Sequence, residues 1–213
     1  YGFTAGRQAW YAAEVAPNRT AIIDDIGERT YAEVRSDSLA FARALQRMGL
    51  GPGKNIAVMA RNSRVVVYAL VAKGYIGADI SLLNPASSPV QLQKSMDELD
   101  VHTIIIDEEF ADRLPADYSR AKVIIGYAED LENPQAPNPE WKTFQQVIDR
   151  APSEAEEKLP TIPKRGFITI LSSGTSGTPK AVVHREPPIP TPLADLVTWI
   201  PWRGGGRIQQ TAP

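Results

Sequence analysis

Between residues 171 and 184 the chain reads LSSGTSGTPKAVVH. Five hydroxyl side chains (Ser172, Ser173, Thr175, Ser176 and Thr178), two glycines (Gly174 and Gly177) and one lysine (Lys180) follow one another almost without interruption. A polyphosphate is held by donors that reach it without a bulky side chain in the way. Glycines let backbone N–H groups approach and point inward, the hydroxyls add further donors, and the lysine supplies positive charge. Pro179 restricts the backbone before Lys180 and so holds the lysine at a set distance from the glycines. The spacing differs from the Walker A loop, in which four residues separate the glycines, a lysine directly follows the second one and a helix comes next. A Ser/Gly-rich turn without any ligand has the same composition. The ordered string S-G-T-S-G-T-P-K between two apolar strands favours a phosphate-binding loop.

Other residues offer weaker chemistry. Asp24-Asp25 and Asp107-Glu108-Glu109 are carboxylate runs at strand ends, where acids cap turns or face water. His184 follows the loop on an apolar strand and is a candidate for the neighbourhood of a nucleotide, although a lone histidine there is usually structural. His102 opens an apolar strand and reads as structural, Lys73 as a snorkelling side chain of its helix, and WRGGGR at 202–207 as a turn. With no cysteine and only two distant histidines, disulfides and thiolate metal sites are excluded and no local metal pair is suggested.

The elements that must position the loop follow from periodicity. TAIIDDIGERTY reads as two short strands around a turn. Thr30 with Glu33 has capping-box spacing, and Tyr31, Val34, Ser38, Phe41, Leu45 and Met48 then mark one buried helix face. NIAVMA at 55–60 is an apolar run of the kind found in strands covered on both faces. A helix over 63–76, a strand over 78–83, a turn at NPASSP, a helix over 90–99 and a strand over 101–107 continue the alternation that builds a parallel α/β sheet. A strand at 122–127, a surface proline-rich stretch at 133–139, a helix over 141–150 and a polar linker at 151–165 follow. GFITIL and KAVVH are the strands on either side of the candidate loop, and LADLVTWI at 193–200 reads as a helix. Two units are expected: 1–163, an N-terminal α/β subdomain, and 164–213, the start of a second that carries the loop.

SSGTSGTPKAVVH is similar to the phosphate-binding signature of the adenylate-forming enzymes, which include acyl- and aryl-CoA ligases, luciferases and the adenylation domains of peptide synthetases. ERTYAEVRSDSLAFARALQRMGLGPGKNIAVMARNS and GADISLLNPASSPVQLQKSMDELDVHTIIID resemble the opening of these enzymes, and the turns MARN and LLNPASS resemble those of bacterial fatty-acid-CoA ligases. The resemblance implies parallel or mixed sheets flanked by helices, as in the first half of the large N-terminal domain of acyl-CoA synthetases. It implies attack of a carboxylate on the α-phosphate of ATP, with Mg2+ assisting, and transfer of the acyl group to the thiol of CoA. Ser172, Ser173, Gly174, Thr175, Ser176, Gly177, Thr178 and Lys180 would hold the departing phosphates without any covalent role, and no catalytic residue is assigned in this stretch. The family usually places glycine after the loop lysine; Ala181 stands there instead. The magnesium-binding acids, ribose-binding aspartate, hinge and C-terminal lysine of the family are expected beyond Pro213, in the remainder of the parent chain, so that these residues alone would be inert. A non-catalytic nucleotide- or partner-binding module, truncated or degenerate, would share the same segments.

Charge and hydropathy narrow the partners. A net charge of -2 offers no broad basic surface for nucleic acid or anionic lipid. The longest apolar stretch, 65–83, is broken by Lys73, Gly74, Gly77 and Asp79, which argues against a transmembrane helix. The chain opens at Tyr1 with no basic-then-apolar leader and reads as excised from something longer. A small-molecule carboxylic acid, a fatty acid in the narrower form, is the expected substrate, and the cytoplasm the expected setting.

Overall fold

The computed structural model describes residues 4–131, 133–172 and 180–185. Strands β1 (Thr20–Asp24) and β2 (Gly27–Thr30) pair antiparallel as a separate hairpin. Thr30 ends β2 and caps α2 (Tyr31–Arg47): its hydroxyl accepts from the Glu33 N–H at 3.3 Å, while its own N–H donates to Glu33 Oε2 at 2.7 Å. This reciprocal box satisfies two otherwise orphaned donors and fixes where the helix begins. A preceding helix, α1 (Ala5–Val15), is capped by Thr4 and has no counterpart in the sequence reading.

The main sheet has the order β7-β6-β5-β3-β4-β8-β9. Its strands are β3 (Asn55–Met59), β4 (Asp79–Leu82), β5 (Val101–Ile106), β6 (Lys122–Ile125), β7 (Lys142–Thr143), β8 (Phe167–Ser172) and β9 (Lys180–Arg185). All neighbours pair parallel except β9, which pairs antiparallel with β8, so the sheet is mixed, as expected. Along β3, Ile56 and Val58 face one apolar layer and Ala57 and Met59 the other, which is why this strand reads as a continuous apolar run. The first layer holds Phe41 and Leu45 of α2, Tyr68 and Ala72 of α3 (Arg64–Ile76), and Phe144 of α6 (Phe144–Asp149). The second holds Leu92 and Met96 of α4 (Pro89–Glu98) and Phe110 of α5 (Glu108–Ala111). Crossovers moving outward toward β7 use the second layer and those moving the other way use the first, as a single crossover hand requires.

Three expectations are corrected. The sixth helix starts at Phe144, not 141, because Lys142 and Thr143 pair with Ile124 and Ile125 and Thr143 becomes the helix cap. Lys73 does not snorkel; its side chain is fully buried. The proline-punctuated 151–165 is no free linker: Arg43 Nε donates to Pro152 O at 2.8 Å, Gln46 Nε2 to Lys158 O at 2.9 Å and Arg7 to Thr161 O at 3.1 Å. The segment is tied across α2 and delivers β8 beside β4. The helix at 193–200 and the turn at 202–207 lie outside the described residues.

Candidate functional site

In a parallel sheet every strand ends at the same edge, and the loops leaving that carboxyl edge form the usual ligand crevice. Helices α3 and α4, which follow neighbouring strands β3 and β4, lie on opposite faces, so the winding reverses between them. β8 lies directly beside β4, with Ile80 opposite Ile168 and Leu82 opposite Ile170. Its last residue, Ser172, pairs with Lys180, the first of β9. The candidate loop therefore leaves and re-enters the sheet at the carboxyl edge, one strand from the switch point. Ser173, Gly174, Thr175, Ser176, Gly177 and Thr178 lie outside the described residues. His184 is exposed on β9, opposite Ile168.

Neighbouring loops at this edge are pinned by charge. The Asp107 carboxylate, 1% exposed, accepts from Arg61 N at 2.7 Å and Tyr127 N at 2.8 Å and so ties the turn after β3 to the turn after β6. Burial pushes its pKa up to about 6, against the pull of the N–H groups of Tyr127 and Arg61. Arg61 also forms a two-pronged pair with Glu109, both bonds at 2.8 Å. Arg113 donates to the carbonyls of Pro85 and Ser87, bracing the 84–88 turn after β4. Asp107 and Glu109, singled out at a strand end, are thus committed to structure. Asp24 is equally committed, since it receives the side chain and backbone N–H of Arg64. No signal in the sequence joins these partners, because each pair is distant along the chain.

His102 sits at the opposite edge of the sheet, with Nε2 3.0 Å from Lys54 Nζ. Among the described residues no three His, Asp or Glu side chains gather to hold a metal ion, and no helix is long and apolar enough to cross a membrane.

An open, mostly parallel sheet with a hydroxyl- and glycine-rich connection at its carboxyl edge has the architecture used by nucleotide-binding α/β proteins. Residues 9–201 match the AMP-binding enzyme family, and the chain belongs to it. A 2-succinylbenzoate–CoA ligase of Bacillus cereus (strain ZK / E33L) is 26% identical over 171 residues, covering 80% of this chain and 30% of that protein. The chain thus spans under a third of the length of that curated relative. VinN, solved in complex with 3-methylaspartate, superposes with a TM-score of 0.73 at 24% identity, covering 95% of this chain and 53% of VinN. The Mycobacterium tuberculosis fatty acyl CoA synthetase gives a TM-score of 0.65 at 19% identity, covering 86% of this chain and 34% of the other. Both structures share the fold.

Proposed function

We propose that this chain is the N-terminal part of an ATP-dependent CoA ligase and that residues 172–180 bind the β- and γ-phosphates of ATP. The observation that carries the reading is the Ser172–Lys180 strand pair at the carboxyl edge of the sheet, which joins the two ends of the SSGTSGTPK string inside the family match. In the first half-reaction a substrate carboxylate oxygen bonds to the α-phosphorus while the bond to pyrophosphate breaks. In the second, the CoA thiol displaces AMP from the acyl-adenylate. Ser172, Ser173, Gly174, Thr175, Ser176, Gly177, Thr178 and Lys180 neutralise and orient the leaving pyrophosphate, with His184 in the strand beyond near the nucleotide. Among the described residues no group of three His, Asp or Glu side chains stands ready for Mg2+, which would screen the charge of the phosphates when bound.

The acid is proposed to be a fatty acid, on the strength of the MARN and LLNPASS turns. The fold alone does not fix it, since related proteins are named for 2-succinylbenzoate and complexed with 3-methylaspartate. Residues 164–213 then open the second subdomain, and the cytoplasm is the proposed location.

The test is the longer polypeptide carrying Lys180→Ala, assayed for both half-reactions with a panel of fatty and aromatic acids. Losing one charge-assisted phosphate contact should slow ATP–pyrophosphate exchange roughly ten- to a hundredfold. Thiol transfer from preformed acyl-adenylate should change far less, because pyrophosphate has already left. Equal damage to both steps refutes the loop assignment, and absence of exchange in the unsubstituted protein points to a non-catalytic module.

A further inference from the structure

β8 is the strand that leads into the loop, and it is distant in sequence from β4, its partner on the other side from β9. It arrives from the crossover through a narrow passage. A Cβ on Gly77 would lie 2.6 Å from Lys164 O, and one on Gly166 only 1.8 Å from Ala78 O, so the two backbones touch where β4 and β8 begin. At that point the Phe167 N–H donates to Asp79 Oδ1 at 2.7 Å, one residue before the ladder starts at Ile80 and Ile168. Asp79 is itself anchored, its N–H donating to Lys54 O at 2.9 Å beside β3. A one-residue slip of β8 would move its far end by about 3.3 Å and turn every side chain to the other face.

We infer that Asp79 and Gly166 are positioning residues that fix the register of β8 on β4 and thereby the place of its last residue, Ser172, relative to the turns after β3 and β4. Gly166 permits the close approach. The Asp79 carboxylate selects one register by accepting a single backbone N–H. Neither residue touches the nucleotide, and the inference rests on the phosphate-binding reading of the loop.

Two measurements separate the claims. In the full 213-residue chain, Asp79→Ala should speed hydrogen exchange of the Phe167 amide by about tenfold or more, and Asp79→Asn, whose amide oxygen accepts the same bond, should restore protection. In the longer polypeptide, Asp79→Ala should raise KM for ATP in pyrophosphate exchange while leaving KM for the acid unchanged, again with rescue by asparagine. Unaltered Phe167 exchange in Asp79→Ala, or an ATP KM that rises equally in the alanine and asparagine variants, overturns the inference. If the unsubstituted polypeptide shows no pyrophosphate exchange, the functional reading fails, and the amide measurement alone decides the register lock.

Discussion

Asp24 and Arg64 are forty residues apart and form a pair whose side chains are only 8% and 4% exposed. Taking one charge away leaves the other desolvated and unpaired, which is where buried ion pairs become costly. Asp24→Ala should therefore lower the unfolding free energy by about 3–5 kcal/mol in denaturant titration at neutral pH. Burial raises the Asp24 pKa, but the hydrogen bonds and charge of Arg64 outweigh it, so the carboxyl titrates below its ordinary 3.8. A depressed folded pKa means that the stabilisation is present above the unfolded value and lost as pH falls through the folded one. The gap between the two proteins should close in that acid range. From sequence, Asp24 was one acid of a strand-end pair, and burial with a distant arginine leaves no local periodicity to read.

Helix α6 has only six residues, too few to be stable by its own hydrogen bonds. Packing fixes it. The Phe144 ring meets Phe41 edge-on at 5.0 Å and stacks on Tyr68 at 5.4 Å, while Thr143 and Gln146 form a capping box. Phe144→Ala should cost about 3–5 kcal/mol in denaturant titration, far more than the ~1 kcal/mol expected for removing the Thr143 cap. Elements that announce themselves locally were legible: the Thr30–Glu33 box, the helix face through Phe41 and Leu45, and the apolar run of β3. The start of α6 was misplaced because the short β7 ladder depends on its neighbour β6, and the 151–165 segment looked like a linker because its anchors are side chains of α2 and α1.

At the scale of the molecule, the proposed phosphate loop and the Phe167–Asp79 contact fall at opposite ends of β8. The turns after β3, β4, β5 and β6 gather at the carboxyl edge, where β8 also ends, while His102 and Lys54 lie at the other. His102→Ala in the longer polypeptide should leave KM for ATP within about twofold, the range of substitutions away from special features. A marked rise in steady-state assays would mean that the nucleotide is bound elsewhere. Alternation of strands and helices made the parallel sheet legible, as the apolar runs FITIL and KAVVH made β8 and β9 legible. The neighbour of β4 was not, since the contact from Phe167 to Asp79 spans 88 residues and no short-range pattern encodes it.

That separation also orders the events of synthesis. As the chain emerges from its N-terminal side, β3, β4, β5 and β6 can associate long before β8 exists, and one side of β4 then presents unpaired backbone groups alongside Ile80 and Leu82. Such an edge invites pairing with a stranger, and a carboxylate on it discourages that. Asp79 stands at the start of this edge, so the same side chain that later receives the Phe167 amide is a charged guard on the half-made sheet while its rightful neighbour is still being translated.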